Sequence, residues 1–361
     1  MQDSATTRPT QVDSQDVRAV LTPDEWSASE AAHLARVEPH IAPHLGRRKE
    51  NRKHPVEDFL FVYYSHSPGK LRRWHPGAGV ALLVDDAGRT PITDDKYTRR
   101  VDLANGPAEI LDVGAFSQAR DRTIAFVRSL LTATLDRPAH LGCFGMHEWA
   151  MVYKLQPGEQ RHEQLPLRLS QAATDAVVDA ADIRCTHFDA YRFFTPDAVD
   201  LNRERPTRER QVDFEQPACL HAGMDVYKWA HKLWPLVPSE LVVDAFELAK
   251  EIRALDMEAS PYDVRPRLWR RADRNPSRSS RIRASPEGVR RQVTSSAASL
   301  ARSPSQRPRP SLISRHSEKA AGEVLGHAVL VVRSAPVVGG REHVLVRVGH
   351  GHAAARPVEH R

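Results

Sequence analysis

Long apolar runs, cysteines and aromatic residues are all scarce in this chain of 361 residues, which has 3 cysteines and 6% aromatic residues. No apolar run reaches the roughly 18 residues that a membrane-spanning helix needs. The first 20 residues lack the apolar centre of a secretory signal. Three cysteines cannot build a disulfide framework, which is typical of a reducing compartment. These absences predict a cytoplasmic protein that does not span a membrane.

Most short catalytic motifs are absent as well. The sequence contains no P-loop, no GxGxxG dinucleotide motif, no HExxH, no GxSxG and no CxxC pair. It also lacks a helix-hairpin-helix signature. These absences disfavour nucleotide-driven chemistry and the common serine hydrolases, so the function has to be sought in less regular combinations of residues.

Charge is distributed unevenly along the chain. Residues 265–361 contain 20 Lys and Arg against 6 Asp and Glu, whereas residues 1–264 contain 32 against 40. The last part is rich in Arg, Ser and Pro and has no aromatic residue after Trp269. Such a composition cannot bury enough surface to fold alone, so we predict a largely disordered basic tail in which only residues 324–348 suit a hairpin. A frameshift in a GC-rich gene is one explanation of this composition.

Periodic apolar positions predict that residues 21–264 form one helix-rich α+β domain with a small sheet, after a polar and disordered lead-in over residues 1–20. The first helix is predicted over residues 21–53, because Thr22 and Glu25 have the spacing of a capping box. Further helices are predicted over residues 54–64, 117–136, 170–181, 224–234 and 239–255.

Strands are predicted in fewer places. Residues 79–84 and 97–101 are short apolar segments between turn residues, so we expect them to pair. Residues 183–194 alternate with a period of two, which is typical of a strand with two different faces. One face of this strand carries a thiol, an imidazole, a carboxylate and two aromatic rings, from Cys185, His187, Asp189, Tyr191 and Phe193.

Three segments combine cysteine and histidine with other polar residues. They are HLGCFGMHEW at residues 140–149, CTHFDAY at residues 185–191 and CLHAGMDVYKWAHK at residues 219–232. In the last two segments one residue separates the cysteine from the first histidine, which on a strand places both side chains within reach of one metal ion. The candidate zinc ligands are therefore Cys185, His187, Cys219 and His221. Alternatively, the cysteines are small core residues and the histidines are their hydrogen-bonded neighbours.

The same segments belong to longer strings that resemble a known family. The strings are HPVEDFLFVYYSHSPGKLRRWHPGAGV at residues 54–80, HLGCFGMHEWAMVYK at residues 140–154, RCTHFDAYRFFTP at residues 184–196, and residues 219–263, which begin CLHAGMDVYKWAHKLW. They are similar to the actinobacterial proteins labelled 3-methyladenine DNA glycosylase. The resemblance implies hydrolysis of the N-glycosidic bond of alkylated purines in damaged double-stranded DNA, without a cofactor. The chain departs from that family after Asp263, where a C-terminal helix is expected.

An enzyme that excises a base needs particular residue types, and the three segments contain them. A carboxylate has to activate water or stabilise the cationic sugar, and aromatic faces have to hold the extruded base. The candidate acid/base residues are Asp189, Glu148 and Asp225. The candidate residues of the base pocket are Trp149, Tyr191, Trp229 and His187.

An acidic body binds DNA only if local basic surfaces lie together on one side. Basic clusters occur at residues 47–53, 70–73 and 96–100. The candidate phosphate-binding residues are Lys70, Arg72, Arg73, Lys96, Arg99 and Arg100. A zinc enzyme with another substrate and a non-catalytic binding protein are the alternatives to the glycosylase, and the catalytic hypotheses require the three polar segments to converge on one hollow.

Overall fold

The computed structural model describes residues 17–92, 96–156, 158–160, 165–264, 329–334 and 344–349. Helices dominate the described residues, and a small mixed sheet of four strands accompanies them. The coarse prediction of a helix-rich α+β fold is therefore confirmed. Most of the predicted lead-in and of the predicted tail over residues 265–361 lies outside the described residues.

The sheet consists of β1 (Ala19–Leu21), β2 (Val80–Leu83), β3 (Thr98–Leu103) and β4 (Gly106–Leu111). Its order is β1-β2-β4-β3, with β1 parallel to β2 and the other neighbours antiparallel. The predicted pairing of residues 79–84 with 97–101 is wrong, because a turn at Ala104 and Asn105 folds β4 back onto β3 and places it between them. Residues 19 and 20, predicted as lead-in, belong to β1.

The long first helix, α1 (Pro23–Lys49), begins as the sequence predicts. The Thr22 hydroxyl accepts a hydrogen bond from the Glu25 amide, and the Glu25 carboxylate accepts one from the Thr22 amide at 2.8 Å. This reciprocal pair closes the capping box. Val37 and Ile41 lie on the inner face of α1 and are completely buried.

The other helices of the described residues vary in length from four residues to 24. They are α2 (Phe59–Tyr63), α3 (Pro68–Arg72), α4 (Val113–Asp136), α5 (Met146–Ala150), α6 (Gln171–Asp179), α7 (Phe188–Tyr191), α8 (Pro196–Val199), α9 (Gln211–Phe214), α10 (Leu220–Leu233) and α11 (Ser239–Ala259). The helices predicted over residues 117–136, 170–181, 224–234 and 239–255 are confirmed as α4, α6, α10 and α11. None of the described helices combines the length and the apolar character that crossing a bilayer requires.

Residues 183–194 do not form the predicted strand. The amide of Arg184 donates to the carbonyl of Gly142 at 2.8 Å, and the amide of Cys185 donates to the side chain of Asn202 at 2.6 Å. Because these partners belong to loops, the segment stays irregular and then turns into α7. The prediction from the alternating pattern fails because consecutive residues are buried here. The buried side chains therefore do not all lie on one face of the segment.

The main core fixes the helix that leads into the candidate site. Helices α10 and α11 pack against each other and, with α1, α2 and α4, enclose the largest cluster of buried apolar residues. Within it Val226 and Leu233 of α10 and Ala245 of α11 are fully buried. The N-terminus of α10 is therefore held rigidly, and with it Cys219, the N-cap residue.

Outside the helical core, the structure also pairs two strands in the C-terminal part of the chain. Strand β5 (Val329–Ser334) runs antiparallel to β6 (Val344–Gly349). The hairpin predicted within residues 324–348 is confirmed by this pairing. The rest of that stretch lies outside the described residues.

Replacing Thr22 by Ala is expected to lower the free energy of unfolding by about 1 kcal/mol, because the first turn of α1 loses its capping oxygen. Urea unfolding followed by circular dichroism measures this change. Ser29→Ala is the matched control, since the Ser29 hydroxyl only donates to the Glu25 carbonyl within the helix. If Ser29→Ala lowers the free energy of unfolding as much as Thr22→Ala does, the capping hydrogen bond of Thr22 is not the cause of the loss.

Candidate metal centre

Three segments that are distant along the chain meet around one small cavity. They are the turn before α5, the irregular segment before α7 and the N-terminus of α10. The cavity has a volume of about 10 Å³, which is room for about one water molecule or one ion. Its polar lining consists mainly of the thiols of Cys143, Cys185 and Cys219 and the imidazoles of His140, His147, His187 and His221. All four predicted zinc-ligand candidates thus border one space, although neither pair lies on a strand.

The three cysteines are free thiols that line the cavity from different parts of the chain. The thiol of Cys185 donates to the carbonyl of His187 at 3.8 Å. Interaction with the thiol of Cys143, together with the charge of His147, lowers the pKa of Cys185 to about 7. Interaction with Cys185 and burial raise the pKa of Cys143. The third thiol, of Cys219, accepts a hydrogen bond from the amide of Ala222 at 3.5 Å as the N-cap of α10.

His187 has one ring nitrogen engaged and the other without a partner. Its Nε2 donates to Oδ2 of Asp225 at 3.3 Å and lies 3.3 Å from Oε1 of Glu215. Its Nδ1 is buried and has no hydrogen-bond partner among the described residues. Burial alone lowers the pKa of His187, but the bond to Asp225 and the charge of Glu215 raise it overall. A carboxylate on one nitrogen and a vacant second nitrogen is the arrangement of a metal-binding histidine.

His147 has a similar arrangement. Its Nε2 lies 3.0 Å from Oδ1 of Asp256, and its Nδ1 lies 3.6 Å from Sγ of Cys143. Burial opposes the charged ring, yet the charge of Asp256 raises the pKa of His147 to about 9. One nitrogen of this ring therefore lies next to a buried carboxylate, without a well-aligned hydrogen bond to it, while the other faces a thiol of the cavity.

His221 lies between these two histidines. Its ring centroid is 4.5 Å from that of His147 and 5.2 Å from that of His187. Burial and the charge of His147 lower the pKa of His221 well below its ordinary value. The ring is therefore neutral at pH 7, and a neutral imidazole offers a lone pair to a metal. Donor atoms of His147, His221 and Asp256 lie within 4.8 Å of one another, as do those of His187, Glu215 and Asp225.

Asp225 is a buried carboxylate that three side chains compensate. Its Oδ1 accepts a hydrogen bond from the hydroxyl of Tyr64 at 2.8 Å, and its Oδ2 accepts from Lys228 and His187. Burial opposes ionisation, but the charges of Lys228 and His187 lower the pKa of Asp225 overall. Asp225 is thus an ionised partner that orients His187, and it does not itself line the cavity.

Glu148 belongs to another buried ion pair. Nη1 of Arg253 lies 2.9 Å from Oε1 of Glu148 and 2.7 Å from Oδ2 of Asp256. All three side chains are buried. The guanidinium of Arg253 thereby joins α5 to α11. It also connects Glu148 to Asp256, the carboxylate that lies next to His147.

The three predicted acid/base carboxylates have separate surroundings. Asp189 is partly exposed on α7, where Arg192 lies 3.0 Å and Arg208 3.3 Å from its Oδ1. Glu148 and Asp225 are buried in the ion pairs described above. None of the three lines the small cavity, so the convergence that the sequence predicts applies to the thiols and imidazoles and not to these carboxylates.

The predicted aromatic residues of the base pocket are also separated. The indole of Trp149 donates to the carbonyl of Ala259 at 2.9 Å, and the hydroxyl of Tyr191 donates to that of Val199 at 3.4 Å. Trp229 lies in the main core. Of the four predicted base-pocket residues, only His187 lines the small cavity.

Two of the six predicted phosphate-binding residues line a common cavity. Lys70 and Arg73 line a second cavity of about 300 Å³. Arg72 instead forms an ion pair with Glu38 at 2.8 Å. Lys96 lies over the ring of Tyr97, and Arg99 and Arg100 belong to β3.

Sequence reasoning left several residues of the network unassigned. Cys143 and His147 belong to one of the three cysteine–histidine segments, but they are four positions apart, which does not fit the strand spacing that selected the zinc candidates. Asp256 and Arg253 of α11 gave no signal, because polar residues on an amphipathic helix are usually solvated.

Replacing Arg253 by Met is expected to lower the free energy of unfolding by about 3–5 kcal/mol, because two buried carboxylates lose their partner. Urea unfolding measures the loss. Arg184→Met is the control, since its ion pair with Glu204 is largely exposed and is worth less than about 1 kcal/mol. Equal losses of stability in the two variants would show that Arg253 does not stabilise the fold by compensating the two buried carboxylates.

No protein-family model matches the chain, and neither the curated proteins nor the solved structures contain a significant match to it. The resemblance to proteins labelled as glycosylases therefore stays a prediction. The function has to be argued from the chemistry of the site itself.

Proposed function

We propose that this chain is a metalloprotein that holds one zinc ion in the small cavity, with Cys143, Cys185, Cys219 and His187 as ligands. The observation that carries the proposal is the state of His187. Its Nδ1 is buried without a partner among the described residues, in a ring that lines a cavity bordered by three thiols. Its Nε2 is fixed by Asp225, so the ring keeps one orientation.

The chemistry of the donor atoms supports zinc over other metals. Thiolate sulfur and imidazole nitrogen are the ligands of structural zinc, whereas calcium and magnesium take oxygen ligands. Three cysteines and one histidine are also the number of ligands that a tetrahedral zinc site needs. Their donor atoms would have to move closer together around the ion, because the groups of three donors that lie within 4.8 Å of one another in the described residues are the two histidine–carboxylate trios. Asp225 would support His187 from outside the ligand set, as carboxylates support the histidines of zinc sites.

The size of the cavity favours a structural role for the proposed ion. A space of about 10 Å³ has room for an ion but not for an organic substrate. Because four protein ligands close the site, the ion would stabilise the junction of the α5 turn, the α7 segment and the start of α10. Zinc in such a site contributes directly to the free energy of folding.

Base excision remains a separate hypothesis that rests on the resemblance. A purine is far larger than the small cavity, so a base pocket would lie elsewhere in the molecule. Release of 3-methyladenine from methylated DNA by the full chain, and its loss in Asp189→Asn, tests that hypothesis without reference to the zinc site.

Zinc content is the first test of the metal proposal. The full chain, purified under reducing conditions without chelator, is expected to contain about one zinc ion per chain by elemental analysis. Cys185→Ala and His187→Ala are expected to lose most of it, because each removes a ligand. His40→Gln is the control, since His40 pairs with Glu247 and does not line the cavity. A wild-type chain that neither contains zinc nor takes it up at neutral pH contradicts the proposal.

The supporting carboxylate gives a second test. Asp225→Asn is expected to weaken zinc affinity by about 10- to 100-fold, because the amide holds the ring of His187 less firmly in its metal-binding state. Competition with a chromophoric chelator measures the affinity. Tyr64→Phe is the matched control: it removes one hydrogen bond to Asp225 but keeps the carboxylate. Equal affinities in wild type and Asp225→Asn would exclude His187 as an oriented ligand.

A further inference from the structure

A second cavity, called here the basic pocket, lies at the other end of α10. Its volume is about 300 Å³, which is the lower limit of ordinary small-molecule pockets. The basic pocket is lined mainly by residues of α3, α10 and α11 and by side chains next to them. It shares no lining residue with the small cavity, so the two sites are independent.

The charged lining of the basic pocket is of one sign. Four cations line it, namely Lys70, Arg73, Arg120 and Lys232, and no carboxylate appears among the lining residues. Among the described residues, Lys70, Arg120 and Lys232 form no ion pair with a carboxylate. Burial and the charges of Lys228 and Arg120 lower the pKa of Lys232. The charge of Asp225 acts on Lys232 in the opposite direction, but the cations that line the pocket give it a positive potential, which attracts an anion.

Three histidines line the basic pocket. His33 is bonded to the carbonyl of Leu71, and the other two offer neutral hydrogen-bonding groups. The rings of His66 and His231 stack with centroids 3.7 Å apart. Burial lowers the pKa of both, to about 3 for His66 and about 4 for His231, and the charge of Lys70 contributes to each shift. Both rings are thus neutral at pH 7. Nδ1 of His66 is buried without a hydrogen-bond partner among the described residues. Because His66 lines the pocket, this nitrogen is available for a hydrogen bond to a ligand.

The remaining wall is apolar and suits an organic group. Leu71, Val242 and the indole of Trp234 line the pocket, and the guanidinium of Arg73 lies 5.0 Å from the Trp234 ring. A ligand with an anionic end and a small organic body would contact both kinds of wall. The volume excludes a duplex but accepts a small molecule.

We propose that the basic pocket binds a small organic phosphate monoester, with Lys70, Arg120 and Lys232 contacting the phosphate and the neutral histidines donating hydrogen bonds. Phosphate matches this lining because it accepts several charge-assisted hydrogen bonds at once. The concave shape favours a free small molecule over the backbone of a nucleic acid. The proposal does not depend on the zinc site.

Isothermal titration calorimetry of the full chain tests the proposal with AMP and inorganic phosphate as probes. AMP is expected to bind saturably at low salt, and inorganic phosphate is expected to compete with it. Lys70→Ala and Arg120→Ala are each expected to weaken AMP binding by about tenfold, which corresponds to the loss of one charge-assisted hydrogen bond. Both side chains are on the surface, so the variants should remain folded, which thermal unfolding checks.

Arg72→Ala is the matched control. Arg72 is close to Lys70 on α3, but it pairs with Glu38 and does not line the pocket, so AMP binding is expected to stay unchanged. No binding of either probe overturns the proposal, as does an equal loss in Arg72→Ala and Lys70→Ala. A short DNA duplex that binds through Lys70 and Arg120, when AMP does not, would also overturn it and assign these residues to nucleic-acid phosphates.

Discussion

The pairing of buried histidines with buried carboxylates is the interaction on which the candidate site depends. Asp225 of α10 holds His187, and Asp256 of α11 lies against His147. Burying an ionised carboxylate costs several kcal/mol unless it is compensated, and here Lys228 and Arg253 provide that compensation. Such pairs contribute little net stability, but they fix the orientation of each imidazole, which is what a metal site requires.

Helix α10 connects this network to the rest of the molecule. Its N-terminus provides Cys219 and His221 to the small cavity, and its C-terminal turn provides His231 and Lys232 to the basic pocket. Its apolar face is buried against α11 in the main core. The two cavities therefore lie at opposite ends of one buried helix and share no residue.

The sequence predicted local features more accurately than long-range ones. The capping box at Thr22 and the regular apolar spacing of α11 identified helices because both signals depend on neighbouring residues. The alternation in residues 183–194 failed, since hydrogen bonds to distant loops decide the backbone there. Repeated cysteine–histidine pairs correctly indicated convergence. The partners of His147 and His187 were not predictable, because nothing local links them to Asp256 and Asp225.

X-ray absorption spectroscopy at the zinc edge, on the zinc-loaded full chain, tests the central claim most directly. The account predicts a first shell dominated by sulfur at about 2.3 Å, with nitrogen at about 2.0–2.1 Å. A first shell of nitrogen and oxygen alone, without sulfur, would contradict the claim that the three cysteines of the small cavity hold the ion.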